Sequence, residues 1–172
     1  MKSTFRIALL AAAAAAALPG FAQQPNPLDA VPEKMPFDIP YGTPIALDRA
    51  EAAIAAAVAE AKKRDWKMNV TVVDSGGNLV AFQRMDGAQL ASIKISQHKA
   101  ATAAQFRRET KAFEAGIQGG FNYLMTLDGV IGSRGGIPLV DGGKLVGAIG
   151  CSGGTGSQDE VSCKAGAAAV NR

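Results

Sequence analysis

Two glycine-rich turns, each opened by an aspartate, constrain the fold of this chain more than any other feature. Asp74 opens the turn in the segment VVDSGGNLV (72–80), and Asp141 opens the turn in LVDGGKLVG (139–147). Such an aspartate bonds backbone amides within its turn, and glycine adopts positive φ without a steric penalty. Since apolar, β-branched residues flank both turns, two β-hairpins are predicted, and with them an antiparallel sheet.

Helical spacing of apolar residues accompanies these hairpins. Between Leu47 and Arg64 the acidic residues come early and three basic residues come last, an order that suits the helix dipole. Further helices are predicted over 90–106, 111–124 and about 158–171, and strands over 68–73, 79–82, 130–131, 137–140 and 145–151. The order α-β-β-α(α)-β-β-β-α predicts an α/β (α+β) fold, with an antiparallel sheet of about five strands covered by helices. The excess of alanine and glycine predicts close packing of helix on sheet.

Residues 1–22 are predicted to be a secretory signal peptide. Lys2 and Arg6 form a positive region, an apolar run follows over 7–18, and Gly20-Phe21-Ala22 resembles a cleavage site. The run is too short for a transmembrane helix. Cleavage removes two of the charges behind the formal net charge of +3. We therefore expect a periplasmic or secreted protein, with no nucleic-acid partner and no stable membrane insertion.

Residues 23–46 are predicted to be an extended arm, followed by one domain over 47–172. Prolines at positions 25, 27, 32, 36, 40 and 44 are incompatible with a helix or a central strand. The composition also excludes some sites. A single histidine excludes a multi-histidine metal site within one chain, and two cysteines exclude a four-cysteine zinc site or iron–sulfur cluster.

His98 is the first candidate ligand-binding residue. On the predicted helix it shares a face with Lys94 and Thr102, and nearby alanines leave space for a flat ligand. Its Nε2 can ligate haem iron or act as a general base. Downstream, Phe106 and Arg107 begin a segment of aromatic and cationic residues of the type that binds propionates. The alternative is a solvated helix face with an incidental histidine.

The loop containing Ser152, Gly153 and Gly154 is a candidate anion site. Its unhindered backbone amides approach a helix N-terminus, where they can bind a carboxylate or phosphate. The alternative is a flexible turn before a helix cap. In an enzyme acting on a small carboxylic acid, Arg84 or Arg134 would bind the carboxylate and Asp86 or His98 would act as acid–base. GCSGG (150–154) also matches a serine-hydrolase elbow, but the chain is short and its histidine precedes the serine.

Cys151 and Cys163 are a candidate disulfide pair. In an exported protein, such a bond would join the last strand to the last helix. A buried pair of free thiols is equally compatible with the sequence, because the Cα separation that decides between them is not encoded in the spacing.

Five motifs in order resemble the GlcG/HbpS family, which is related to the C-terminal domain of PduO-type proteins. They are VVDSGGNL (72–79), RMDGA (84–88), KAATA (99–103), GGIP (135–138) and GAIGCSGG (147–154), with Asp159 following the last of them. The resemblance implies a profilin-like fold and homo-oligomers with ligands near subunit contacts. It also implies haem binding, as in some members, with Lys99, Thr102 and Thr110 in segments that line the ligand site.

The resulting hypothesis is an exported, homo-oligomeric haem- or tetrapyrrole-binding protein that supports haem degradation or haem and redox sensing. His98 would be its iron ligand. One alternative is the enzyme of small-carboxylic-acid metabolism, such as glycolate metabolism, with the glycine loop as its anion site. Another is an assembly or sensing module that presents the proline-rich arm to a partner.

Overall fold

The structure is a computed structural model that describes residues 29–171, so the predicted leader at 1–22 lies outside the described residues. From Met35 onward the chain forms one folded unit. Its elements, in chain order, are α1 (Leu47–Lys63), β1 (Asn69–Asp74), β2 (Leu79–Arg84), α2 (Ala91–Gln105), α3 (Lys111–Gln118), a 3-10 helix (Asn122–Thr126), β3 (Gly136–Asp141), β4 (Lys144–Ser152) and α4 (Gly156–Ala168).

The strands form one antiparallel sheet in the order β2-β1-β4-β3. Both predicted hairpins are present, and Asp74 accepts bonds from the amides of Gly76 (2.8 Å) and Asn78 (2.9 Å) within its turn. The fold class is confirmed, but the described residues form four strands rather than five. Val130 and Ile131, predicted as a strand, lie in a loop, where the Val130 amide donates to Leu127 O (3.3 Å) within a turn.

Helices cover both faces of the sheet. Helix α2 packs on one face, where Thr71 and Ser96 share a buried hydroxyl–hydroxyl bond of 2.9 Å, while α1 and α4 pack on the other. The approach of α2 is close, because a Cβ at Gly150 of β4 would lie 2.1 Å from Ser96 O. The prediction that small residues permit close packing of helix on sheet is therefore correct. No helix in the range 29–171 has the length and apolar character needed to cross a membrane.

The third helix is shorter than predicted. α3 ends at Gln118, and the chain continues through Gly119 and Gly120, the latter with a φ of +92°. A positive φ ends a right-handed helix, and glycine adopts it at no steric cost. The residues up to Leu124, predicted to continue this helix, instead enter the separate 3-10 helix.

The last part of the proline-rich arm packs on the domain. Leu145 of β4 donates its amide to Pro40 O (2.8 Å) and accepts from the Gly42 amide (2.7 Å), which aligns Tyr41 parallel to the start of β4. Nearer the N-terminus, the guanidinium of Arg108 lies 3.2 Å from the ring centroid of Phe37. From Phe37 onward, the arm therefore forms part of the folded unit.

Helix α4 is attached to the sheet by a covalent bond. Cys151 of β4 and Cys163 of α4 are bonded through their sulfurs, with Cα atoms 5.6 Å apart and both residues fully buried. Thr155 caps the helix, and its side chain forms a reciprocal capping box with Gln158. The bond and the cap together fix the loop between β4 and α4.

Candidate functional site

His98 lies in a groove between α2 and the β1–β2 hairpin. The imidazole is exposed and the groove has a volume of about 360 Å³. Its lining residues are Val73, Gly77, Leu79, Lys94, Gln97, His98 and Ala101. Leu79 is 58% exposed although it is apolar. The groove thus combines an accessible nitrogen ligand, an apolar wall and one cation.

The other predicted haem-site residues on α2 do not line this groove. Lys99 is 1% exposed and Thr102 is fully buried, with its hydroxyl donating to Gly129 O (2.6 Å). Successive residues of a helix project about 100° apart, so Lys99 and His98 reach different sides of α2. Lys94 shares the groove with His98 as predicted, whereas Thr102, one turn beyond His98 on α2, is buried and does not line the groove.

Beyond the end of α2, the predicted residues bind other parts of the protein. Thr110 is buried, and its hydroxyl accepts from the Gly136 amide (2.9 Å) at the start of β3. Phe106 packs edge-on against Phe113 with ring centroids 5.2 Å apart. Arg107 donates to Ile39 O (3.1 Å) in the arm. The structure therefore does not place these three side chains beside His98.

Lys99 forms a buried ion pair with Asp159 of α4. Lys99 Nζ lies 2.7 Å from Asp159 Oδ2, and the two side chains are 1% and 3% exposed. The other carboxylate oxygen accepts from the amides of Gly153 and Gly154, each at 3.1 Å. The glycine loop was predicted to bind an external carboxylate, but Asp159 of the chain itself occupies these amides.

Burial raises the pKa of Asp159 above its ordinary value, although the Lys99 ammonium and the two glycine amides oppose that shift. The cause is desolvation, because a carboxylate removed from water is costly unless its charge is compensated. A Cβ at Gly135 would lie 2.8 Å from Asp159 Cβ and 3.2 Å from Lys99 Nζ, so there is no room for a ligand on that side. The pair is consequently a structural connection between α2, α4 and the glycine loop.

A second group of charges lies nearer the surface around Arg134. Its guanidinium contacts Glu114 (2.7 Å) and Glu160 (3.4 Å), and Glu160 also contacts Lys111 (3.3 Å) and Lys164 (2.6 Å). The hydrogen bond from Arg134 holds the pKa of Glu114 below its ordinary value. Because Arg134 is already paired twice, it does not offer a free cation to a substrate.

Arg84 and Asp86 line a separate cavity of about 440 Å³ between α1 and the end of β2, together with Lys62 and Lys67. In the sheet, Arg84 of β2 lies opposite Asn69 of β1, and Asn69 lies opposite Ser152 of β4. Arg84 is therefore two strands from the glycine loop. Two strand spacings are about 10 Å. Arg84 and the amides of Gly153 and Gly154 therefore do not form one carboxylate clamp.

The Lys99–Asp159 pair was missed by sequence reasoning. The residues are 60 positions apart and lie on different helices, so no local pattern connects them. The available signal was that the KAATA motif and Asp159 both carry the family resemblance. Within 29–171, no group of three or more histidine, cysteine, aspartate or glutamate side chains is arranged to hold a metal ion.

Comparisons with known proteins are consistent with the fold and with the sequence motifs. Residues 45–168 match the family described as haem degrading protein HbpS-like. Protein GlcG of Escherichia coli K12 is 43% identical over 103 residues, which are 60% of this chain and 77% of GlcG. A crystal structure of a double mutant of Streptomyces reticuli HbpS is similar, with a TM-score of 0.70 and 30% identity, covering 83% of this chain and 98% of that one. A crystal structure of a PduOC:heme complex is also similar, with a TM-score of 0.68 and 27% identity, covering 75% of this chain and 96% of that one.

Proposed function

Because this chain belongs to the HbpS-like family of haem-degrading proteins, we propose that it binds haem or a related tetrapyrrole in the groove that contains His98. The observation that carries the proposal is the exposed imidazole beside an apolar wall that the fold leaves uncovered. Leu79 and Ala101 form part of this wall, and Lys94 lies beside His98. The solved haem complex of PduOC, with the same fold, supports the same ligand class.

The residues of the groove match the chemistry of haem in three respects. The His98 Nε2 is a suitable axial donor for iron. The apolar wall with Leu79 suits the face of a macrocycle, and the Lys94 ammonium suits a propionate. Haem supplies its own redox-active iron, so the role of the protein is to bind and orient it.

Titration of the purified protein with hemin tests the proposal. We expect a saturable shift of the Soret band, and His98→Ala should change the spectrum of the complex and weaken binding. Added imidazole should restore the spectrum of His98→Ala, because it supplies the missing nitrogen. Absence of a saturable shift in the wild-type protein would refute haem binding.

A matched pair of lysine variants tests the propionate contact. Lys94 lines the groove, whereas Lys144 is an exposed lysine at the start of β4. Lys94→Ala should weaken hemin binding about threefold to tenfold, within the range of one partly exposed charge-assisted contact. Lys144→Ala should leave it unchanged. Equal effects of the two substitutions would show that the lysine acts through overall charge and not through the groove.

We also propose that the protein is exported and forms homo-oligomers. Export is supported by the leader pattern at 1–22 and by the Cys151–Cys163 disulfide, since such bonds persist in oxidising compartments. Cell fractionation and N-terminal sequencing should give a periplasmic or secreted protein that begins at Gln23. Light scattering should give a multiple of the protomer mass. A cytoplasmic protein with an intact leader, or a monomer, would contradict the respective proposal.

A further inference from the structure

A second cavity lies at the end of the His98 groove. It has a volume of about 340 Å³ and is lined by Tyr41, Ser75, Gly76 and Gln105. The two cavities adjoin the same β1–β2 turn, and Gln105 lies against Gly77, whose Cβ would be 2.9 Å from Gln105 Nε2. His98 and Gln105 are two helical turns apart on one face of α2, a distance of about 10 Å. The two cavities therefore lie in succession along α2, with the contact between Gln105 and Gly77 at their boundary.

Tyr41 is held in place at this end although its side chain is half exposed. Its hydroxyl donates to Gln105 O (2.8 Å), and the Arg107 guanidinium lies 5.4 Å from the ring centroid. Tyr41 is 51% exposed. An exposed aromatic ring with a fixed orientation is a prepared contact for an apolar ligand, since little conformational entropy remains to be lost on binding.

Arg107 explains how the arm keeps this position. It directly follows the helix C-cap and has a φ of +54°, which is uncommon for a residue with a Cβ. Its guanidinium donates to Ile39 O (3.1 Å) and covers the Tyr41 ring. Arg107, which sequence reasoning had placed on a haem propionate, is thus a positioning residue for the arm.

We infer that the ring of Tyr41 is a ligand-contacting wall of the haem groove, contributed by the proline-rich arm and held by Arg107. This inference rests on the proposed function. Tyr41 lies before residue 45, where the family match begins. The arm thereby contributes a side chain to the binding surface of this chain.

The test compares Tyr41→Ala and Tyr41→Phe in titrations with hemin and with metal-free protoporphyrin IX. Tyr41→Phe keeps the ring and loses only the bond to Gln105 O, so it should bind as the wild type does. Tyr41→Ala should weaken binding of both probes about tenfold, which corresponds to about 1.4 kcal/mol. His98→Ala should weaken hemin binding far more than protoporphyrin binding, because only hemin contains iron.

Two controls separate a contact from general loss of structure. Tyr123 is also exposed, at 49%, but does not line the groove, so Tyr123→Ala should leave both affinities unchanged. Arg107→Gln should weaken binding in the wild-type background and have no further effect in Tyr41→Ala, as expected of a residue that acts through Tyr41. Thermal midpoints of all variants should stay close to that of the wild type.

The outcomes distinguish this inference from the proposed function. If wild-type protein binds hemin and Tyr41→Ala binds both probes equally well, the Tyr41 contact is refuted and haem binding stands. If Tyr41→Phe is as weak as Tyr41→Ala, the ring is not the contacting group and the inference is again refuted. If the wild type binds neither probe, both fall.

Discussion

Replacement of Lys99 by methionine is the perturbation whose effect follows most directly from the structure. Methionine matches the length and apolar stem of lysine but removes the ammonium that lies 2.7 Å from Asp159 Oδ2. Asp159 keeps the amides of Gly153 and Gly154 and loses its only cationic partner among the described residues. Breaking a buried pair in this way typically costs about 3–5 kcal/mol.

Because Asp159 keeps two hydrogen bonds from backbone amides, the expected loss of unfolding free energy lies near the lower end of that range, at about 3 kcal/mol. The free energy of unfolding of a domain is only about 5–15 kcal/mol, so this loss should be plain in urea denaturation. The double variant Lys99→Met/Asp159→Asn removes both charges and should lose less than the two single variants together. The coupling energy should be about 1–3 kcal/mol.

The pH dependence of Lys99→Met provides a second check. Burial raises the pKa of Asp159, and loss of the ammonium should raise it further. A carboxyl whose folded-state pKa lies above its unfolded value stabilises the fold when protonated, and this contribution disappears as pH rises through the folded-state pKa. The deficit of Lys99→Met relative to wild type should therefore shrink as pH falls from 7 towards 4. A deficit below about 1 kcal/mol, or one independent of pH, would refute the account of Asp159 as a carboxylate that depends on Lys99.

Two further predictions concern the acid limb and the disulfide. The pKa of Glu114 is lowered, chiefly by the hydrogen bond from Arg134. Ionised Glu114 therefore stabilises the fold above its unfolded-state pKa, and this stabilisation is lost as pH falls through its folded-state pKa. Glu114→Gln should flatten the fall in stability below about pH 4.5 in urea titrations, whereas Glu51→Gln, at an exposed site of α1, should not. The Cys151–Cys163 bond joins residues 12 positions apart and closes a loop in the unfolded chain. Reduction of the bond opens this loop and should lower the free energy of unfolding by about 3 kcal/mol. The stability of the Cys151→Ala/Cys163→Ala variant should be insensitive to reductant. An equal response of wild type and variant would show that the effect of reductant does not come from the disulfide.

The features predictable from sequence are those that depend on a few neighbouring residues. The Asp74 turn is an example, since its carboxylate bonds amides two and four positions away. The prediction of a strand over 130–131 was wrong, because β-branched composition alone specifies neither a pairing partner nor a register. A strand exists only where another backbone lies beside it, and the Val130 amide instead bonds Leu127 O in a turn.

The glycine loop shows the same limit of prediction from sequence. The amides of Gly153 and Gly154 do bind a carboxylate, as their pattern predicted, but the carboxylate belongs to Asp159. Sequence identifies what a group of amides can bind and leaves open whether the chain itself supplies it. The tight position of Tyr41 over Gln105 is equally invisible in sequence, because 64 residues separate the donor from its acceptor.

These placements divide α2 into two faces with different tasks. Lys99 and Thr102 face inward, where both are fully engaged with α4 and the loop around Gly129. Lys94 and His98 face the groove, and Tyr41 lines the cavity that adjoins it. One helix can serve both purposes because adjacent residues project in different directions, and the buried pair fixes the helix on which the exposed imidazole stands. The buried ion pair of the interior thus provides rigidity, while the groove remains accessible for a ligand.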